Sequence, residues 1–154
     1  MKQGKQSLVC LLFSVLLFFC CSNEKRNQYD DRTKYLTDYL HNNFGEAIPT
    51  EPHIYFIVKS NACQGCAMKL YKFIETFDVE SSLIFVRGAG SHEFLGNINI
   101  LHDKAGEIDR LNFDTEGTLI IFSNNNTIYH IESINPEKAL MIEDIVYTVL
   151  NEEK

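Results

Sequence analysis

Cys63-Gln64-Gly65-Cys66 is the constellation best suited to chemistry in this 154-residue chain. Two thiols three positions apart can form a disulfide, be reduced again, and exchange with a disulfide in another molecule. The motif follows His53–Val58 (HIYFIV), a β-branched and aromatic run typical of a strand buried on both faces. Beyond it, Leu70, Phe73, Ile74 and Phe77 lie at offsets of 4, 7, 8 and 11 from Cys66. That spacing predicts one face of a helix ending near Asp78. The dithiol therefore belongs at a strand-to-helix junction, with Cys63 at the helix start. Unpaired backbone N–H groups and the positive end of the helix dipole favour a thiolate there. Cys63 is expected to have a lowered pKa and to attack, while Cys66, one turn deeper, resolves the mixed disulfide. Side chains three apart on a regular helix have Cβ atoms roughly 5–6 Å apart. A disulfide needs about 3.5–4.5 Å, so some tightening is required, which Gly65 eases.

Two other uses of the pair stay open on the residues alone. One is a passive disulfide trimming a helix end, although so small a loop would restrain the unfolded chain little. The other is a metal site, which needs further ligands. His53, His92 and His102 are the candidates, and none has ligand spacing relative to another. No metal or diffusible cofactor is expected. His102-Asp103 is not a catalytic dyad, because neighbours on an extended segment point to opposite faces. Gly88-Ala89-Gly90 lacks the third glycine of a dinucleotide loop, Glu93 standing in its place. Asn125-Asn126-Thr127 matches a glycosylation sequon, but turn chemistry explains it better. Glu152-Glu153 reads as a solvated helix tail.

The elements that must position the dithiol can be read outward from it. Leu36, Tyr39, Leu40 and Phe44 recur at helical spacing between Tyr29 and Phe44, with Gly45 placed to form a left-handed cap. Pro49 and Pro52 separate that helix from the first strand. A second strand is expected at Leu83–Arg87, then a less regular stretch with a short strand at Ile98–Leu101 and a short helix around Ala105–Leu111. Thr118–Phe122 and Thr127–Ile131, separated by Ser123–Asn126, form the clearest hairpin, since asparagine tolerates positive φ. Asn135 can cap a last helix with Pro136 at its first position, and Leu140, Met141, Ile145, Val149 and Leu150 supply its buried face. This order predicts a three-layer α/β domain, a central mixed sheet of four to five strands flanked by helices. Its early strands are parallel and its closing hairpin antiparallel.

Fourteen basic against 21 acidic residues leave a net charge of -7, which excludes a broad positive field for nucleic acid. At the amino end, Lys2 and Lys5 precede an apolar run from Leu8 to Phe19. Its twelve residues cover roughly 18 Å of a ~30 Å bilayer core, which suits a secretory signal better than a permanent span. The stretch that follows resembles the lipobox of bacterial lipoproteins, in which cleavage precedes a cysteine that then carries lipid. Leu17-Phe18-Phe19-Cys20 and Phe18-Phe19-Cys20-Cys21 are competing registers, and the second, with the smaller Cys20 beside the cut, is preferred. The resemblance implies residues 1–20 as a signal peptide, lipid on Cys21 and residues 21–28 as a polar tether, with 29–154 the domain. Loss of residues 1–20 removes two lysines and makes the mature charge -9. Membrane attachment is then expected from lipid, not from electrostatics. Cys10 and Cys20 leave with the signal, so no odd thiol remains.

From about residue 50 to 150, the C-x-x-C junction and the element order around it resemble the thioredoxin fold, particularly exported, membrane-tethered proteins of the TlpA/ResA type. That resemblance implies an extracytoplasmic thiol-disulfide oxidoreductase with Cys63 and Cys66 catalytic. Its partners would be exported protein thiols or disulfides and a second redox protein that restores the dithiol. It also implies that Gly117 and Thr118 line the substrate side of the dithiol. The chain departs from the family in having Gly117 where a cis-proline stands, Asn61-Ala62 without a tryptophan before the motif, Ile57 in place of a buried acid, and Gln-Gly between the cysteines. A redox-inactive protein-binding module of the same fold is the alternative, and a metal-binding chaperone a third.

Overall fold

The computed structural model describes residues 29–88, 98–111, 113 and 117–152. Cys10, Cys20, Cys21, His92 and the expected signal and tether lie outside the described residues. Helix α1 (residues 29–44) ends as its sequence predicts. Gly45 takes φ +72° and donates its N–H to His41 O at 3.0 Å, a left-handed cap. Strand β1 (His53–Val58) follows, then α2 (Gln64–Thr76), β2 (Ser81–Val86), β3 (Asn99–Asp103) and a 3-10 turn at Glu107–Leu111. The chain continues through β4 (Thr118–Asn124), β5 (Thr127–Ile134), a second 3-10 turn at Lys138–Leu140 and α3 (Ile142–Glu152).

The five strands form one mixed sheet in the order β3-β2-β1-β4-β5. β1 pairs with β2, and β2 with β3, in parallel, while β4 is antiparallel to both β1 and β5. This is the three-layer α/β architecture expected of a thioredoxin-like fold. All six residues of β1 are buried because each face is covered. Ile54, Phe56 and Val58 join Leu83, Phe85, Ile120 and Phe122 beneath α2 and α3. Tyr55 and Ile57 join Ile84, Val86, Leu119 and Ile121 beneath α1. Helix α1 straps the whole sheet. Near its start Thr33 Oγ1 accepts from the Ile128 N–H of β5 at 2.9 Å. Toward its end Tyr39 O–H donates to Asp103 of β3 at 3.1 Å.

Several boundaries differ from expectation for local reasons. α2 stops at Thr76, two residues before Asp78, because Phe77 is already extended. β2 ends at Val86 because Arg87 and Gly88 take φ of +53° and +75°. The helix expected around Ala105–Leu111 is a short 3-10 turn, held at its start by the Asp103 carboxylate. Between β4 and β5, Asn125 (φ +51°) and Asn126 (φ +61°) form a two-residue type I′ turn. Ser123 and Asn124 therefore belong to β4, not to a loop.

The largest correction concerns the last helix. Asn135 Oδ1 accepts from the Lys138 N–H at 2.8 Å, but that amide opens a separate 3-10 turn, and α3 starts only at Ile142. A 3-10 turn has three residues per turn, so it rotates the chain out of the register that a continuous helix would keep. Leu140 and Met141, expected in the core, are 71% and 56% exposed, whereas Ile142, Val146 and Val149 are buried.

Candidate redox site

The motif sits where β1 hands the chain to α2. After Val58, the Lys59 N–H donates to Gly117 O at 3.2 Å, and the Ala62 N–H turns back to Lys59 O at 2.9 Å. That turn delivers Cys63 as the N-cap of α2, with extended backbone angles of φ -56° and ψ 122°. N-caps usually offer a side-chain oxygen to the first orphan amides of a helix. Here Cys63 Sγ does so, accepting from the Cys66 N–H at 3.2 Å. Both cysteines are reduced, Cys63 exposed and Cys66 buried.

The two sulfurs are polarised against each other. A hydrogen bond from the Cys66 thiol, followed by those from the backbone N–H groups of Cys66 and Gly65, holds Cys63 below its ordinary pKa. Burial, then the hydrogen bond to Cys63 and repulsion by its charge, pushes Cys66 up to about 11, with Lys69 opposing in part. An exposed sulfur favouring the thiolate beside a covered one favouring the thiol is the division of roles that disulfide exchange requires. A Cβ added at Gly65 would lie 3.9 Å from Cys63 Sγ, an ordinary contact, so the reduced form does not demand glycine there.

Gly117 lies against the turn that precedes Cys63. Its φ is +92°, and a Cβ there would meet Ala62 Cα at 3.9 Å. Thr118 is the first residue of β4, opposite Val58 and Ile134. It is buried, and its Oγ1 has no hydrogen-bond partner. Of the two, Gly117 borders the approach to the dithiol and Thr118 lies beneath it. Ile57 is buried on the α1 face, away from Cys66.

The candidate histidines are not gathered here. His53 is buried at the start of β1, at the other end of the strand from the dithiol, with Nε2 3.0 Å from Ser82 Oγ. Its burial lowers its pKa against the opposing influence of Glu80 and Glu46. His102, on β3, is exposed and stacks on Phe85 at 5.6 Å. Among the described residues, no group of three His, Cys, Asp or Glu side chains could hold a metal ion. His102 and Asp103 do point to opposite sides, as the extended backbone requires.

Asp103 organises the loop beside the site in a way the sequence reading did not assign. Its Oδ1 accepts from the Gly106 and Glu107 N–H groups at 2.7 and 3.0 Å, and its Oδ2 from Ile108 N–H at 2.9 Å. The turn thus secured presents Asp109 to Lys59 at 3.3 Å and to Arg87 at 3.5 Å. These three loops occupy the carboxyl ends of the parallel strands, the usual location of sites in open α/β sheets. An aspartate at a strand end followed three residues later by glycine was the available signal.

No protein-family model, curated protein or solved structure matches the chain. Among the described residues, no helix is long and apolar enough to cross a membrane.

Proposed function

We propose that the chain is a thiol-disulfide oxidoreductase in which the Cys63 thiolate attacks and Cys66 resolves. The observation that carries this reading is the opposed environment of the two sulfurs, Cys63 exposed at the N-cap with its charge stabilised and Cys66 buried with its proton retained. Cys63 Sγ displaces one sulfur of a partner disulfide as a thiolate and forms a mixed disulfide. Cys66 then loses its proton and attacks Cys63 Sγ, releasing the second partner thiolate. The partner disulfide gains two electrons and becomes two thiols, while the protein gives them up and ends as an oxidised Cys63–Cys66 disulfide. A second redox partner restores the dithiol. The apolar amino-terminal run and Cys21 support an exported, lipid-anchored protein of the TlpA/ResA kind, acting on exported proteins at the extracytoplasmic side of a membrane.

The test is the reduction potential of the pair, together with the pH dependence of Cys63 alkylation. The proposal expects a potential above about -300 mV and a Cys63 pKa below the free-thiol value of ~8.5. A potential well below that limit with ordinary titration would leave a passive disulfide. Cys66→Ser should also accumulate the mixed disulfide with a model substrate, because the resolving sulfur is gone.

A further inference from the structure

Past the dithiol, the α2 helix borders a groove shared with the end of the chain. Lys69, Lys72 and Phe73 face Leu140 and Glu143 across a cavity of about 380 Å³. Lys69 lies one turn beyond Cys66 on α2, so the groove begins about one turn from the proposed reactive site. Leu140 and its neighbour Met141 are the two most exposed large apolar side chains among the described residues. Adjacent apolar groups left open in this way mark contact surfaces, and methionine adapts to varied partners. The charge is equally distinctive. In a chain of net charge -7, the groove offers two ammonium groups against one carboxylate. Lys138, nearby in sequence, is already paired with Glu132. The larger cavity, at the opposite end of β1, has the reverse sign and is lined by Glu51, Asp78 and Glu80.

We propose that this groove docks the polypeptide that exchanges with the dithiol. The occupant is an extended segment with an apolar side chain over Leu140 and an acidic side chain between Lys69 and Lys72. The identity of this occupant as a redox substrate rests on the oxidoreductase reading above. Lys72 is nine residues along from Cys63, about 13 Å of rise and two and a half turns, so the surface path around the helix is about 22 Å. An extended partner advancing ~3.4 Å per residue therefore carries its acid about six residues from the reacting cysteine.

Full-length protein bearing Cys63→Ser, which removes thiol chemistry, tests the groove directly. The probes are two fluorescein-labelled peptides with leucine and serine at fixed positions and either glutamate or lysine about six residues from the serine. Fluorescence anisotropy should show the glutamate peptide binding about tenfold more tightly at low salt, with the difference collapsing at high salt. Lys72→Glu should reverse the preference, and Leu140→Ser should weaken the glutamate peptide about fivefold. Both residues are exposed, so the fold tolerates the changes. Equal affinity for the two peptides, no binding of either, or a preference untouched by Lys72→Glu overturns the proposal. Exchange of the native dithiol with a small disulfide reads the redox chemistry separately. Absence of exchange with the peptide preference intact removes the chemistry and keeps the groove.

Discussion

Replacing Asp103 by alanine should unfold the loop beside the dithiol and cost the whole domain about 3–5 kcal/mol. The carboxylate accepts four hydrogen bonds, from the amides of Gly106, Glu107 and Ile108 and from the Tyr39 hydroxyl. Water can reach the partly exposed Glu107 amide, so its loss counts least. The Gly106 and Ile108 amides and the Tyr39 hydroxyl are buried, and each stranded donor costs roughly 1–3 kcal/mol. These penalties relax together and do not add fully, which places the total in the lower part of their sum. Asparagine keeps one acceptor but turns an N–H₂ toward a donor, so Asp103→Asn should lose about 2–4 kcal/mol. Tyr39→Phe alone should cost about 1 kcal/mol, and close to nothing in the Asp103→Ala background, where the hydroxyl is already without its acceptor. Urea unfolding followed by circular dichroism gives each free energy. Hydrogen exchange at the Gly106 and Ile108 amides shows whether the loss begins locally. A cost below about 1 kcal/mol for Asp103→Ala, or full additivity with Tyr39→Phe, would refute this account of the loop.

Gly106→Ala should destabilise by about 1–2 kcal/mol, because the residue needs positive φ. Its new Cβ would also clash with the Arg87 guanidinium, so the Arg87–Asp109 pair should be displaced, visible as a shift of the Arg87 Nε–H resonance. Alkaline stability should fall through a defined window. The folded-state pKa of Cys66 is raised from 9.0 to about 11, so its contribution is complete below pH 9 and is lost as pH rises toward 11. The urea midpoint of Cys66→Ser should decline less over that range. Cys21→Ser should release the protein from membranes, as fractionation would show, and continued retention would overturn the Cys21 assignment.

What was legible in the sequence was mostly local. Gly45 announced its own left-handed cap, and the unbroken apolar run of β1 required cover on both faces. The asparagines at 125 and 126 similarly specified a tight hairpin, and a cysteine ahead of the α2 stripe was legible as a helix cap. The misplaced features depend on contacts between distant segments or on small changes of helical pitch. Leu140 and Met141 carry a core-like pattern, yet one 3-10 turn after Asn135 rotates them to the surface. Asp103 resembles any polar residue at a strand end until the chain folds Tyr39 and three amides around it. The burial of Thr118 likewise becomes visible only once its sheet partners Val58 and Ile134 are in place.

The bond between Thr33 and Ile128 also sets which end of the sheet the preceding chain joins. Ile128 pairs with Ser123, five residues along β4 from Thr118 and so about 17 Å of strand from the Gly117 end. The chain before residue 29 thus joins at β5, on the α1 face, while the dithiol lies across the sheet beneath the other helical layer. Whatever is joined ahead of residue 29 therefore attaches near the hairpin end of the sheet, and the Cys63 end is left open to other proteins.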